Sequence, residues 1–522
     1  MDRNMDSEVY STSSHGYLYD NQALCTQLLE TVTAIVPLKI SPSKIPGAGA
    51  GLFTTKEIEE GEEIFQSQPL VNCVDREKHE IICDYCFTSK ESKITLTGRF
   101  RTTTDSEITL MTCSGCKLCR YCSKTCQKQA WKSYHKHECG LLHQFSTSYD
   151  RTRVFIRLLS MQKHGKLTDL QWELLSALKT HSTRHLSSSN SQVLVGTCVN
   201  ARVLTSTSLT ITHIVDLYCR VLTNTVCIYP PERAGRGTSL DVVTSLINHS
   251  CDPNSFVFFE GNSLRVRSLR KLEAGEEITH CYADVTVDVF LRRRTLKDDY
   301  FFDCFCDRCE KESQHNEQLQ GNNGQLENIQ QQILKVINDS DSLTNVDNIE
   351  VEQRTIMAEV FPSGIWPENL GLLPQLRLHI GHILSIQGRL VDALRESIRG
   401  IVWIDYRRGR AWIHTLFDLL QILARILVLP RQDSSLQQDG FPNNDQLWDI
   451  YHGYLHVLTR SVNRTFGSET TYAKAVQTWY LEAKESATYT PGTRKFTRQF
   501  KTGQAKLLAW AGVNEERGID LK

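Results

Sequence analysis

Apolar residues recur at helical spacing in two separate parts of this chain, with short strand-like runs between and before them. From Asp150 to Thr183, Phe155, Leu158 and Leu159, then Leu170, Leu174, Leu175 and Leu178, fall three or four apart, which predicts helices. Leu209 to Val221 reads as a further helix that leads into a strand over Leu222–Ile228. The helical period returns over Leu372 to Ile398, Ile413 to Leu429, Leu447 to Leu458 and Tyr472 to Lys484. Gly388 and Ala393 in the first of these are spaced as in a tetratricopeptide helix pair, although no period recurs cleanly. Leu38 to Ile64 has a different pattern: a strand, the Gly-rich turn Gly47-Ala48-Gly49-Ala50-Gly51-Leu52-Phe53, and a second strand. Three glycines there let the backbone approach a ligand closely. The stretch Met1 to Asn21 is rich in Ser, Tyr, Asn and Asp and is predicted to be disordered, with structure beginning near Leu24. Lys311 to Glu352 is rich in Gln, Asn and Asp and reads as a linker or loose helix.

At 522 residues the chain can hold two to four domains and bury a large core. A net charge of −1 gives no global field that would draw it to nucleic acid or to a membrane. Between Cys113 and Cys139 the balance shifts, with Lys117, Arg120, Lys124, Lys128, Lys132 and Lys136 set against Glu138. That surface is either a solvated face or a docking patch for an acidic partner or nucleic acid. No apolar run reaches bilayer length. The 18 cysteines fall at metal-ligand spacings and no signal peptide is evident, so the expected setting is a reducing compartment, nucleus and/or cytoplasm.

Cys83-x2-Cys86, Cys113-x2-Cys116, Cys122-x3-Cys126 and His135-x3-Cys139 supply seven thiols and one imidazole, enough for two tetrahedral zinc sites. The last two pairs place their ligands one helical turn apart on one face. His137 rivals His135, and the three-residue gap before Cys139 favours His135. Cys119 lies off the pattern and reads as a spectator. A second constellation lies downstream: Asn248-His249-Ser250-Cys251-Asp252-Pro253-Asn254, then Gly275-Glu276-Glu277-Ile278-Thr279-His280-Cys281-Tyr282, then Cys304-Phe305-Cys306-Asp307-Arg308-Cys309. The last run offers three metal ligands, one short of a closed set.

The second constellation resembles a SET domain. The upstream cysteines, with Tyr121 and the Gln-Lys-x-Ala-Trp run ending at Trp131, resemble a MYND zinc finger. Together, over Leu38 to Glu310, they resemble the SET and MYND domain-containing protein-lysine methyltransferase family. The resemblance implies an α+β chain in which a β-rich SET fold is split by the finger and by a helical insertion, with an α-helical C-terminal domain. The implied boundaries are 1–23 disordered, 24–82 first SET segment, 83–139 finger, 140–215 helical insertion, 216–285 core SET, 286–312 post-SET segment, 313–355 linker and 356–522 helical domain. Two spacings depart from the family: the Thr-rich insert Thr88 to Thr112, expected to loop out, is long, and Cys126 to His135 is one residue longer.

By the same resemblance the finger pairs cross-brace, with Cys83, Cys86, Cys122 and Cys126 on one zinc and Cys113, Cys116, His135 and Cys139 on another. Cys251 would complete a third zinc with Cys304, Cys306 and Cys309, and Cys281 would pack as a small hydrophobe. The implied cofactor is S-adenosylmethionine, contacted by Gly49, Ala50 and Gly51, by Asn224 and by Asn248, His249, Tyr282 and Phe302. Ala48 and Ala50 stand where the family often has larger polar or basic residues, which implies mainly backbone contacts there. Asn224 is alternatively a strand-edge residue bonding to backbone, and Phe302 alternatively a core residue. Asn248 would hold the cofactor's amino-acid end, His249 its adenine side, and the Tyr282 hydroxyl would orient the attacking amine as the catalytic group. The implied partners are a protein substrate with a target lysine, peptides that dock on the finger and, less directly, nucleic acid. The rival class is a non-catalytic adaptor with a vestigial SET fold. A zinc hydrolase fits poorly, because closed ligand sets leave no open coordination position.

Overall fold

The computed structural model describes residues 18–90, 96–97, 101–102, 108–145, 150–231, 235–320, 323–338, 346–358, 370–404, 409–485 and 492–521. The disorder expected for the N-terminus falls, over residues 1–17, outside the described residues, and so does most of the insert within Thr88 to Thr112. In that insert Leu96–Thr97 pairs with Arg101–Thr102. The expected α+β architecture is present, as a set of small sheets followed by a long helical region.

One sheet has four antiparallel strands in the order Thr33–Ala34, Glu63–Ser67, Ser263–Ser268, Ser255–Glu260. A second pairs Val71–Val74 with Gly237–Leu240, and Gly237–Leu240 with Thr225–Ile228. The Gly-rich turn joins the hairpin Leu38–Pro42 and Ala50–Thr54. Asn248–His249 lies parallel to Thr279–His280, which brings two of the sequence motifs side by side. These sheets share a core with the insertion helices, in which Leu52, Ile64, Phe65, Leu158, Leu159 and Ile278 are almost completely buried.

The helix expected to end at Val221 spans Ile211–Asn224, so Asn224 closes a helix and does not edge a strand; the strand is only Thr225–Ile228. Thr210 caps that helix by accepting from the His213 N–H. Of the two readings of Lys311 to Glu352, linker or loose helix, the helical one matches. Asn323–Asn338 and Val346–Ala358 are helices, and Ile329, Ile333, Val336, Ile349, Ile356 and Met357 are buried in the C-terminal core. Polar composition masked an apolar stripe at helical spacing. The helices read at the C-terminus are present as Leu373–Ile386, Leu390–Ile401, Arg410–Leu427, Asn444–Phe466 and Thr471–Lys484. A further helix, Arg494–Trp510, buries Phe496, Phe500, Leu507 and Leu508. Phe466 joins this domain to the four-stranded sheet, edge-on to Phe258 at 5.4 Å and to Phe256 at 5.7 Å. Among the described residues no helix is long and apolar enough to cross a membrane.

The finger is fastened to the insertion helix Asp150–Lys163 by a buried charge cluster. Arg157 donates to Glu138 through Nε at 2.8 Å and Nη2 at 2.6 Å, and Nη2 reaches Asp84 at 3.2 Å. Its guanidinium lies 3.7 Å from the Tyr134 ring centre. Arg153 donates to the other Asp84 oxygen at 2.6 Å. Arg157 and Glu138 are at most 1% exposed, so removing one partner strands a charge away from water. Arg157→Met is therefore expected to cost about 3–5 kcal/mol of stability. Breaking the exposed Arg294–Asp298 pair, 3.7 Å long, is expected to cost less than about 1 kcal/mol. Urea titrations of Arg157→Met and Arg294→Met followed by circular dichroism compare the two, and equal midpoints would contradict the assignment.

Candidate functional site

The Gly-rich turn folds over the Asn248–His249 strand because one position in it has no side chain. A Cβ on Gly51 would lie 2.5 Å from Glu277 Oε1, so that the carboxylate would have to move, and a tight 3.2 Å from Asn248 Nδ2. Glu277 is the hub of this approach. Its Oε1 accepts from Ser43 Oγ at 2.7 Å and from Asn248 Nδ2 at 2.8 Å, and its Oε2 accepts from the Lys44 N–H at 3.0 Å. Asn248 Nδ2 also donates to the Ala50 carbonyl at 2.9 Å. Gly49, Ala50, Gly51 and Asn248 are thus brought into one place, and Glu277, read only as part of a turn, is what holds them there.

His249 is buried beside them. Its Nδ1 accepts from the Tyr282 N–H at 3.0 Å, and its Nε2 lies 3.2 Å from Cys251 Sγ. Burial pushes this imidazole down to about 4. The Tyr282 ring sits among His280, Tyr300 and His249, at centre distances of 4.9, 4.8 and 5.3 Å, and Phe302 is 5.7 Å from the His249 ring. The Tyr282 hydroxyl donates to the Ile247 carbonyl at 2.9 Å. Burial raises its pKa above the ordinary tyrosine value, so the phenol keeps its proton at neutral pH.

Asn224 bonds to backbone. Its Nδ2 donates to the carbonyls of Lys179, at 3.0 Å, and Arg220, at 2.9 Å, which bolts the segment after Leu178 to a helix end. That segment carries Lys179, whose Nζ donates to the Gly47 carbonyl at 2.6 Å, and His181, whose ring lies 5.7 Å from Phe301. Burial lowers the Lys179 pKa and pushes His181 down to about 4. Neither residue was marked by the sequence reading, since nothing in their spacing points to a site.

The twelve metal-ligand candidates gather in three places. The ligand atoms of Cys83, Cys86, Cys122 and Cys126 lie within 4.8 Å of one another, as do those of Cys113, Cys116, His135 and Cys139, and those of Cys251, Cys304, Cys306 and Cys309. Closest sulfur pairs run from 3.4 Å for Cys251–Cys309 through 3.5 Å for Cys86–Cys122 to 3.9 Å for Cys251–Cys304. Tetrahedral zinc–thiolate geometry places sulfurs about 3.8 Å apart, whereas a disulfide needs about 2.05 Å. The donor sets and distances fit zinc. His135 turns Nε2 toward Cys113 at 3.3 Å and Nδ1 toward Glu138 at 3.3 Å, a carboxylate–histidine arrangement that fixes the ring. His137 instead stacks on His164 at 4.0 Å. Cys119, expected as a spectator, donates its N–H to Cys116 Sγ at 3.5 Å and accepts from Arg153 at 3.2 Å. Hydrogen bonding to the Cys251 thiol lowers the Cys281 pKa.

A SET domain profile matches residues 49–283, which span the turn, the Asn-His motif and Tyr282. The chain is therefore a SET-domain protein. Histone-lysine N-methyltransferase SMYD3 of Mus musculus is 29% identical over 312 residues, 57% of this chain and 68% of that protein. Histone-lysine N-methyltransferase ASHR1 of Arabidopsis thaliana is 26% identical over 280 residues, 51% of this chain and 54% of that protein. N-lysine methyltransferase SMYD2 of Gallus gallus is 28% identical over 292 residues, 52% of this chain and 60% of that protein. With both cysteine constellations in place, this chain is similar to the SET and MYND domain-containing proteins, a class of protein-lysine methyltransferases.

Four ligands per ion give an expected content of about three zinc ions per chain. Cys251→Ser should lower it by one and leave the finger loaded. Atomic emission on purified protein measures both, and a wild-type content of one would refute the three-cluster assignment.

Proposed function

We propose that this chain transfers a methyl group from S-adenosylmethionine to the amine of a lysine on a protein. The observation that carries the proposal is that Asn248 bonds the Ala50 carbonyl of the Gly-rich turn while the Tyr282 hydroxyl bonds the carbonyl of the adjacent Ile247, with Tyr282 packed against the Cys251–Cys304–Cys306–Cys309 cluster. Bound there, the cofactor supplies an electrophilic methyl on a sulfonium. The chain's own residues supply position. The turn and Asn248 hold the amino-acid end, His249 and Phe302 line the adenine side, and Asn224 acts through the segment it fastens. Tyr282, with His280 and Tyr300 against its ring, supports an apolar approach for an uncharged amine, aimed by the phenol oxygen. The neutral phenol matters because a phenolate would hold the lysine as a cation, which has no lone pair to give. The relatives' names divide between histone-lysine and N-lysine, so the proposed substrate class is a lysine on a protein, histone or otherwise.

Zinc in the two finger clusters and the post-SET cluster would be held by the residues given above and would serve structure, since each set is closed. Arg292 and Arg308 support the post-SET cluster: Arg292 bridges Glu312 at 2.7 Å, and Arg308 donates to the Cys251 carbonyl at 2.7 Å. The finger surface, rich in lysine, is proposed as a contact for protein partners.

Tyr282→Phe tests the chemistry, because it removes the hydroxyl and keeps the ring. If the hydroxyl aligns the amine in the transition state, kcat is expected to fall roughly 100-fold or more with cofactor affinity nearly unchanged. Single-turnover transfer of a labelled methyl into lysate protein and calorimetric titration of the cofactor give the two readouts. Unchanged transfer would remove Tyr282 from the chemistry. Absence of cofactor binding by folded, zinc-loaded wild type would favour the adaptor.

A further inference from the structure

From Gly47 to Phe53 the turn that would receive the cofactor carries no cation of its own: Ala48 and Ala50 have only methyl groups, and Lys44, three residues earlier, is the nearest lysine before it in the loop. A free amino acid carboxylate needs a strong donor, and backbone N–H groups alone are the weaker solution. The structure puts an ammonium at this turn from another part of the chain. Lys179 Nζ donates to the Gly47 carbonyl at 2.6 Å, and its Cε lies 2.9 Å from where a Cβ of Gly49 would stand. Gly49 has φ +86°, so any other residue there would be strained and would displace the end of the lysine.

The lysine is also held from behind. Asn224 Nδ2 donates to the Lys179 carbonyl at 3.0 Å, and Arg220 donates to the Leu178 carbonyl at 3.0 Å and to the Ser176 carbonyl at 2.8 Å. The segment therefore presents the side chain from a fixed backbone, which lowers the entropy lost when a ligand takes it. A carbonyl is a modest partner for an ammonium. A carboxylate at the same distance gives a charge-assisted bond of about twice the strength.

We propose that Lys179 binds the carboxylate of the methionyl end of the cofactor, supplying from the helical insertion the positive charge that the Gly-rich turn lacks. This rests on the reading of the cleft as an S-adenosylmethionine site. It also gives Asn224 a purpose, since that side chain sets the position of Lys179 without reaching the ligand.

The test uses the full-length, zinc-loaded protein and two ligands, S-adenosylmethionine and its decarboxylated form, titrated by calorimetry into wild type, Lys179→Met and Lys179→Gln. Gln keeps a donor for the Gly47 carbonyl but carries no charge, which separates charge from local packing. Both variants should bind S-adenosylmethionine about 10- to 100-fold more weakly, the range of a hydrogen bond to a charged group. The decarboxylated ligand should bind all three proteins alike. Equal weakening toward both ligands would overturn the proposal and make Lys179 a support for the turn, and undiminished binding of S-adenosylmethionine would overturn it outright. Wild type that binds neither ligand refutes the cofactor reading itself, an outcome distinct from either.

Discussion

The cleft depends on one buried carboxylate. Glu277 draws together Ser43 and Lys44 from the start of the Gly-rich turn and Asn248 from a strand more than 200 residues later in the chain. Together its hydrogen bonds fix these backbones around Gly51, where a Cβ would force the carboxylate to shift. A charged acceptor among neutral donors is a strong clamp, because every bond to it is charge-assisted. Without it the turn has little reason to lie against Asn248, and the position of Ala50 and of the Lys179 ammonium would be lost with it.

The clusters of thiols act at a larger scale in the same way. The finger has a core of little more than its ligands, Tyr121, Ala130 and Leu142, too small to hold a fold by apolar burial alone. Its tie to the rest is electrostatic and buried, through Glu138 to Arg157 and through Asp84 to Arg153. His135 shares Glu138 with Arg157, so a metal ligand and the insertion helix lean on one carboxylate. The post-SET cluster likewise fastens Phe302 and Tyr300 beside Tyr282.

Much of this was legible in the amino-acid sequence where the chemistry is local. Cys-x2-Cys and His-x3-Cys spacings are short-range geometry, and the structure collects those side chains into three sets. The apolar stripes of Leu373–Ile386 and Arg410–Leu427 were equally plain. What escaped notice depends on distance along the chain. Lys179 follows a helix with no motif around it, and only the folded turn beside it gives it meaning. Glu277 was visible as a letter in a turn, while its partners Ser43 and Lys44 were not. Asn323–Asn338 escaped for a different reason: Ile329, Ile333 and Val336 are spaced as one face, but glutamines and asparagines around them dominated the composition. Asn224 was placed one element late, since Leu222 to Ile228 reads equally well as a strand by β-propensity.

The three-stranded sheet carries a consequence for how the chain assembles. Val71–Val74 pairs with Gly237–Leu240 across the whole finger and the whole helical insertion, so two neighbouring strands are separated by a finger with its own small core and by helices that share the core of the sheets. Closing a disordered loop of that length costs entropy that rises only with the logarithm of its length, yet the search for such a distant partner is slow. Once the finger has closed on its metals and docked through Arg157, much of that loop is no longer free, and the strands meet across a short effective tether. The order of events this favours is insertion first and sheet second: until the finger has closed, the strand edges stay unpaired, the state most open to aggregation.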